Sequence, residues 1–244
     1  MRILLGQSKA EAINIVVDIV LERMKNNSNL VLGLATGRTM EPVYEGLIKK
    51  FTDQKIPLDH HFFFMLDEYL GLETQHPSSF TSYVLRNLIN PLEISQSQIA
   101  FPPVHLNEKE AGHHYETLIK QASGIDLQLL GIGQNGHVGF NEPGSKRNSR
   151  TRVVELSAET MKANRDQFSL NTPMPQKALS MGIATIMESK ELLMLATGTS
   201  KAETIKYLVN HHDDEKCPAT FLKSHPHFTL VLDPEAASKI SLKI

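Results

Sequence analysis

Short apolar runs alternate with longer segments of helical periodicity along this chain, and the alternation limits the folds open to it. The run RILLG is followed by KAEAINIVVDIVLERMK behind Ser8, and then by NLVLGLAT. Apolar residues at i, i+3 and i+4 predict an amphipathic helix, whereas short continuous apolar runs predict strands that are buried on both faces. The pattern continues to FTLVLD near the end of the chain. It predicts an α/β fold with a mostly parallel sheet between two layers of helices.

Length, charge and cysteine content narrow the classes of protein further. The 244 residues are sufficient for one large domain, and we expect a single domain over residues 1–244. A formal net charge of -2 without a basic stripe argues against nucleic acid as a partner. Cys217 is the only cysteine, so no internal disulfide can form, which favours a reducing compartment. No signal peptide or membrane span is recognisable. We therefore expect a cytoplasmic protein with no membrane partner.

The first of three polar loops that follow predicted strands is LGLATGRT. It places Thr36, Gly37, Arg38 and Thr39 between an apolar run and a helix. Ligands of parallel sheets bind outside the carboxyl ends of the strands, and glycine followed by a helix N-terminus can present backbone amides to an anion. The loop predicts either a phosphate site or an ordinary strand-to-helix turn. It lacks the GxxxxGK[ST] pattern of ATP-binding loops.

The second loop, FFFMLDEYLGL, carries two adjacent carboxylates, Asp67 and Glu68. Neighbouring side chains on an extended chain point to opposite sides, so these two are not expected to share a role. A carboxylate at the dry end of a strand is a candidate general base, because partial loss of water raises its pKa. The alternative is a pair of structural carboxylates.

The third loop, LLGIGQNGHVGFNEPG, places a histidine among glycines. Gly131, Gly133 and Gly136 predict a tight turn, after which come His137 and Glu142. Histidine exchanges protons near neutral pH, and a carboxylate five residues on could orient its imidazole. The GxGxxG spacing imitates a dinucleotide-binding turn, but no helix start follows it. The sequence therefore predicts an acid-base site here and no nicotinamide cofactor.

The histidine pairs of the chain do not predict a metal site. They occur at residues 60–61, 113–114 and 211–212, and neither HxxxH nor HExxH is present. Adjacent side chains on a helix or strand diverge, so a pair of this kind does not converge on one ion. We expect no metal.

Together, LGLATGRT, LDEY and GHVGFNEP resemble the glucosamine-6-phosphate deaminase family, and the resemblance extends to SRTRVVEL, ALSMGIATI and TGTSKAE. It implies a Rossmann-like, three-layer α/β domain. It also implies conversion of an amino-sugar phosphate and water to a keto-sugar phosphate and ammonia, without a cofactor. The expected partner is a small amino-sugar phosphate, and the expected assembly is a monomer or small homo-oligomer.

The resemblance assigns roles to individual residues. Asp67 would move a proton between C2 and C1 of the opened sugar, while His137 would open the ring with Glu142 and Asn135 as members of its relay. The predicted substrate-binding and phosphate-binding residues are Thr36, Gly37, Arg38, Thr39, Gly136, Arg165 and Lys201.

Four positions depart from the family pattern. Asn135 stands where many members have aspartate, and Arg38 stands where a small residue is usual. In KANRDQF the arginine, Arg165, comes one place earlier than in the usual Ala-Asn-x-Arg pattern, and Arg38 could compensate for the displacement. Val154 replaces an effector-binding lysine, so we predict no activation by N-acetylglucosamine-6-phosphate.

Several functions remain open at this level. Glucosamine-6-phosphate is the predicted substrate, and its C4 epimer, galactosamine-6-phosphate, is the alternative. A 6-phosphogluconolactonase would need a histidine but no base over C2, so LDEY argues against it. A sugar-phosphate-binding regulator would not need to retain both Asp67 and His137.

Overall fold

The computed structural model describes residues 1–168 and 172–241. The described residues form seven α-helices: α1 (Lys9–Asn26), α2 (Glu41–Gln54), α3 (Phe80–Val84), α4 (Glu108–Gln121), α5 (Ala158–Asn164), α6 (Ile183–Met187) and α7 (Ala202–Asn210). They also form ten strands: β1 (Arg2–Leu5), β2 (Val31–Leu34), β3 (Phe62–Met65), β4 (Asp67–Tyr69), β5 (Ile99–Ala100), β6 (Leu127–Leu130), β7 (Arg152–Glu155), β8 (Lys177–Ser180), β9 (Glu191–Ala196) and β10 (Phe228–Leu232).

Seven strands form the central sheet in the order β1-β10-β9-β6-β2-β3-β5, and all of the neighbouring pairs are parallel. Every residue of β2, β6 and β10 is buried, because helices cover both faces of the sheet. The predicted α/β fold with a mostly parallel sheet is therefore confirmed. In the part of the chain that the structure describes, no helix is both long and apolar enough to cross a bilayer.

The first helix illustrates how local sequence sets these elements. Ser8 adopts extended backbone angles, and its side chain accepts a hydrogen bond from the amide of Glu11 at 3.1 Å. This cap begins α1, as the sequence predicts. Val16, Val20 and Met24 lie on one buried stripe of the helix.

A second, three-stranded sheet has the order β4-β8-β7 and is antiparallel. The chain passes from the central sheet into it at Leu66, whose amide donates to the carbonyl of Leu34 at 3.0 Å and whose carbonyl accepts from the amide of Met181 at 2.9 Å. Asp67, at the start of β4, is therefore held by strands of two sheets.

The order of the central strands brings four loops together. Strands β9, β6, β2 and β3 are consecutive in the sheet and parallel, so the segments after them meet at one edge. The connections run in opposite directions on either side of the β6-β2 junction, which is where α/β sheets open a crevice for ligands.

Candidate active site

A cavity of about 630 Å³ opens at this edge of the sheet. Its lining includes eight of the residues predicted from sequence: Thr36, Gly37, Arg38, Thr39, Asp67, Asn135, His137 and Lys201. The predicted residues Gly136, Glu142 and Arg165 are not part of the lining. Glu142 is nevertheless connected to the cavity, because it accepts a hydrogen bond from Asn135 in the lining. Arg165 instead places its Nη1 3.4 Å from the carbonyl of Thr172.

The loop after β2 leaves backbone donors available. Gly37 has a φ of 99°, a conformation that favours glycine, and its carbonyl accepts from the amide of Met40 and the hydroxyl of Tyr83. Within residues 1–168 and 172–241, the amides of Gly37, Arg38 and Thr39 donate no hydrogen bond. Together with the N-terminus of α2, they form a concave group of donors suited to an anion.

Asp67 and Glu68 have separate surroundings, as expected for neighbours on an extended strand. The Glu68 carboxylate accepts from the amides of Tyr69, Phe80 and Thr81 at 2.7 to 3.0 Å, so it binds the beginning of α3. Asp67 is 5% exposed, and its carboxylate accepts no hydrogen bond from the described residues. Burial, with a smaller contribution from the charge of Glu68, raises the pKa of Asp67 to about 8.

The glycines of the third loop bring its backbone and its histidine close to other groups. A Cβ on Gly133 would lie 2.2 Å from Cε1 of His137, so the imidazole rests directly on that backbone. Gly136 has a φ of 84° and lies against Cys217. Gly139 lies beside Asp67: a Cβ there would be 3.2 Å from Oδ2 of that carboxylate. The loop therefore contacts His137 at one end and Asp67 at the other.

A hydrogen-bonded relay holds the imidazole. Nδ1 of His137 lies 2.8 Å from Oδ1 of Asn135, and Nδ2 of Asn135 donates to Oε2 of Glu142 at 2.8 Å. The distance between Nδ1 of His137 and Oε2 of Glu142 is 3.6 Å, which is too long for a direct hydrogen bond. Asn135 therefore bridges the histidine and the carboxylate.

Opposing effects set the charge of Glu142. Burial raises its pKa, but the imidazole of His137, the hydroxyl of Thr160 and the amide of Asn135 more than offset burial and lower the pKa to about 2. The carboxylate is thus ionised at neutral pH and can only accept hydrogen bonds.

An ionised Glu142 determines the tautomer of the histidine. Because the carboxylate accepts from Nδ2 of Asn135, Oδ1 of that amide must face His137, where it also accepts from the backbone amide of residue 137 at 3.2 Å. Oδ1 then requires a proton on Nδ1 of the imidazole, so Nε2 is the unprotonated nitrogen of the neutral tautomer. The relay thus selects the tautomer in which Nε2 is the nitrogen that can accept a proton.

Comparison with known proteins identifies the family to which this chain belongs. A family model for "Glucosamine-6-phosphate isomerases/6-phosphogluconolactonase" matches residues 7–231. The chain belongs to this family. A glucosamine-6-phosphate deaminase of Rhodopirellula baltica is 44% identical over 91% of this chain and 89% of its own length. One of Alkaliphilus metalliredigens is 40% identical over 96% of this chain and 95% of its own length.

Solved structures of the family agree with the fold. A monomeric glucosamine-6-phosphate deaminase superposes with a TM-score of 0.95 at 36% identity, covering 98% of this chain and all of that one. A 6-phosphogluconolactonase from Trypanosoma brucei has a TM-score of 0.77 at 18% identity and covers 98% of each chain, so it shares the fold.

The position of the family's usual arginine is occupied by Asp166. This side chain and Arg38 both line the cavity, and Oδ2 of Asp166 lies 3.5 Å from Nη2 of Arg38. The two departures from the family pattern are therefore in contact: a cation on the loop after β2 faces an anion on the segment that follows α5.

Lys201 adds a positive charge on another side of the cavity. It follows β9 at the beginning of α7, and burial lowers the pKa of its ammonium group. Within residues 1–168 and 172–241, no carboxylate forms an ion pair with it. Because Lys201 is half-buried and has no carboxylate partner among the described residues, its ammonium group is suited to binding an anionic ligand.

Sequence reasoning did not find the contribution of α5. Thr160, Lys162 and Asn164 all line the cavity, and Asn164 donates to the hydroxyl of Tyr69 at 3.1 Å. The cap at Ser157, whose side chain accepts from the amide of Thr160, is the local signal for a helix here. Which of its side chains face the cavity depends on how α5 packs against the loop of His137, and local sequence does not encode that packing.

Proposed function

We propose that the chain is a glucosamine-6-phosphate deaminase, which converts glucosamine-6-phosphate and water to fructose-6-phosphate and ammonia. The observation that carries the proposal is the pairing of two proton-transfer groups at one cavity. Asp67 is a buried carboxylate with no hydrogen-bonded partner among the described residues, and the loop that packs against it also carries the His137 relay.

Ring opening is assigned to His137. Its Nε2 accepts the proton of the C1 hydroxyl and returns a proton to the ring oxygen as the C1–O5 bond breaks, which leaves the open-chain aldehyde. In both transfers a proton moves from or to an oxygen atom, and an imidazole is well suited to this near pH 7. Asn135 and Glu142 keep Nδ1 protonated, so that Nε2 remains the reactive nitrogen.

Isomerisation is assigned to Asp67. Its carboxylate removes the proton from C2, the C–H electron pair forms a C1–C2 double bond, and the former carbonyl oxygen at C1 takes a proton from the C2 ammonium group. Return of the proton held by Asp67 to C1 then leaves an iminium group at C2. Addition of water at C2 and cleavage of the C–N bond then release ammonia and the ketose. A bound ammonium group at C2 favours the ionised form of a carboxylate that burial would otherwise keep protonated.

The 6-phosphate is assigned to the amides and hydroxyls of residues 36–39, to Lys201 and to Arg38. Among the described residues, the amides at 37–39 have no other partner and Lys201 forms no ion pair with a carboxylate. In this proposal Arg38 exchanges Asp166 for the phosphate, since a dianion attracts a guanidinium more strongly than one exposed carboxylate does. Lys162, on α5, adds a further cation to the lining.

Release of ammonia by the purified protein tests the proposal, with glucosamine-6-phosphate and galactosamine-6-phosphate assayed in parallel. We expect turnover of the first, with the larger kcat/KM. A larger value for the C4 epimer would instead make galactosamine-6-phosphate the substrate. Absence of ammonia from both, with hydrolysis of 6-phosphogluconolactone, would overturn the assignment of Asp67 as the base.

A further inference from the structure

The hydroxyl of Thr160 makes a contact that the proton transfers assigned above do not use. Its Oγ1 donates to Oε1 of Glu142, while the other carboxylate oxygen, Oε2, accepts from Asn135. Thr160 is 3% exposed, so water does not readily replace this donor. Each oxygen of Glu142 thus has its own donor, and the two donors come from different segments of the chain.

Occupation of both oxygens restricts how the carboxylate can rotate. A carboxylate held only through Oε2 could turn about its terminal bond, and the Asn135 amide could then rotate by 180° and present Nδ2 to the imidazole. In that orientation His137 would need its proton on Nε2, and the nitrogen that accepts a proton from the sugar would be lost. The donor from Thr160 opposes this rearrangement, together with the backbone amide of His137, which donates to Oδ1 of Asn135 at 3.2 Å.

We propose that Thr160 is a positioning residue for ring opening: by holding Glu142, it fixes the Asn135 amide and thereby the reactive tautomer of His137. The inference rests on the proposed deaminase function for its kinetic consequence. It also links the relay to α5, because Lys162 and Asn164 of the same helix line the cavity. The hydroxyl of Thr160 thus connects α5, which the sugar phosphate would contact, to the imidazole of His137.

The test replaces Thr160 with valine, which keeps the shape of the side chain and removes the donor. We expect kcat to fall about tenfold to a hundredfold, the range given by loss of a hydrogen bond to a charged group, with KM changed by less than about threefold. The pH below which kcat falls should move upward, because Glu142 without this donor is more easily protonated. Thr160→Ser should restore both.

Thr185→Val is a matched control. Thr185 is also 3% exposed and lies on a short helix, and its hydroxyl donates to the carboxylate of Glu116, away from this cavity. Loss of the Thr185 hydroxyl should lower the free energy of unfolding about as much as Thr160→Val does. It should leave kcat and the pH profile unchanged. Equal kinetic effects of the two substitutions would overturn the proposal, since both would then act through stability.

A second measurement does not depend on turnover. The ¹⁵N chemical shifts of the His137 ring, identified by their disappearance in His137→Gln, report which nitrogen carries the proton. We expect the Nδ1-protonated form in the unsubstituted protein and in Thr160→Ser, and a mixture of forms in Thr160→Val. An unchanged tautomer in Thr160→Val would contradict the inference, whereas absence of ammonia release by the unsubstituted protein would contradict only the proposed function.

Discussion

Asp67 and Glu68 are adjacent in sequence, yet their carboxylates lie in different surroundings. Three backbone amides, one in β4 and two at the beginning of α3, donate to Glu68, while Asp67 lines the cavity and accepts no hydrogen bond from the described residues. Loss of water without compensating donors raises the pKa of Asp67 to about 8. Burial also raises the pKa of Glu68, and the three amides reduce this rise without cancelling it.

Substitution of the two carboxylates should therefore separate chemistry from structure. Asp67→Asn keeps the shape of the side chain and removes the base, so we expect kcat to fall by at least about a thousandfold while binding of a substrate analogue is retained. Glu68→Gln should lower the free energy of unfolding by about 1–3 kcal/mol, because one of its oxygens becomes a donor facing backbone amides. Steady-state kinetics and urea unfolding measure the two effects, and normal turnover by Asp67→Asn would refute the assigned base.

The buried Asp67 should make stability depend on pH. In the unfolded chain this carboxyl loses its proton near its ordinary pKa of 3.8, whereas in the folded protein it keeps the proton up to about 8. Stability contributed by the neutral group is present below about pH 4 and is lost as the pH rises through 8. Relative to Asp67→Asn, the free energy of unfolding of the unsubstituted protein should fall by up to about 1.4 kcal/mol per pH unit between these limits. Parallel slopes for the two proteins in urea unfolding from pH 5 to 8 would contradict the raised pKa.

Gly133 and Gly131 provide a paired test of the histidine loop. A Cβ at 133 would overlap the His137 ring, whereas one at 131 would meet no atom within 4 Å, and neither glycine has a positive φ. We expect Gly133→Ala to displace the imidazole and lower kcat by roughly a hundredfold or more, and Gly131→Ala to retain activity. Equal activity of the two variants would show that the position of the ring is not critical.

The contact between Arg38 and Asp166 should affect the KM for glucosamine-6-phosphate. Removing the negative charge with Asp166→Asn frees Arg38 for the phosphate, so we expect KM to fall about twofold to fivefold, a small effect because both side chains are exposed. In an Arg38→Gln background the same substitution should have less effect, and in high salt the effect should shrink. Asp18→Asn, which breaks an exposed ion pair with Lys50, is the control. An unchanged KM for Asp166→Asn would argue against the exchange of partners.

The sequence predicted those features of the fold that depend on residues close together in the chain. The Ser8 cap, the buried apolar runs and the opposite facing of Asp67 and Glu68 follow from periodicity and capping, which involve residues a few places apart. The second sheet was not predicted, because strand β4 is three residues long and its partner β8 lies more than a hundred residues away. Pairing over such a distance depends on the packed fold rather than on propensity.

The sequence by itself determined the α/β class, the loops that could hold an anion and the two candidate proton-transfer groups, because strand ends, glycines and ionisable side chains are properties of short segments. Tertiary structure decided which of them work together. It placed Thr160 on Glu142, set Asp166 against Arg38 and left Arg165 outside the cavity. These outcomes depend on the packing of α5 against two loops distant in sequence, where a shift of one residue changes which side chain faces the site.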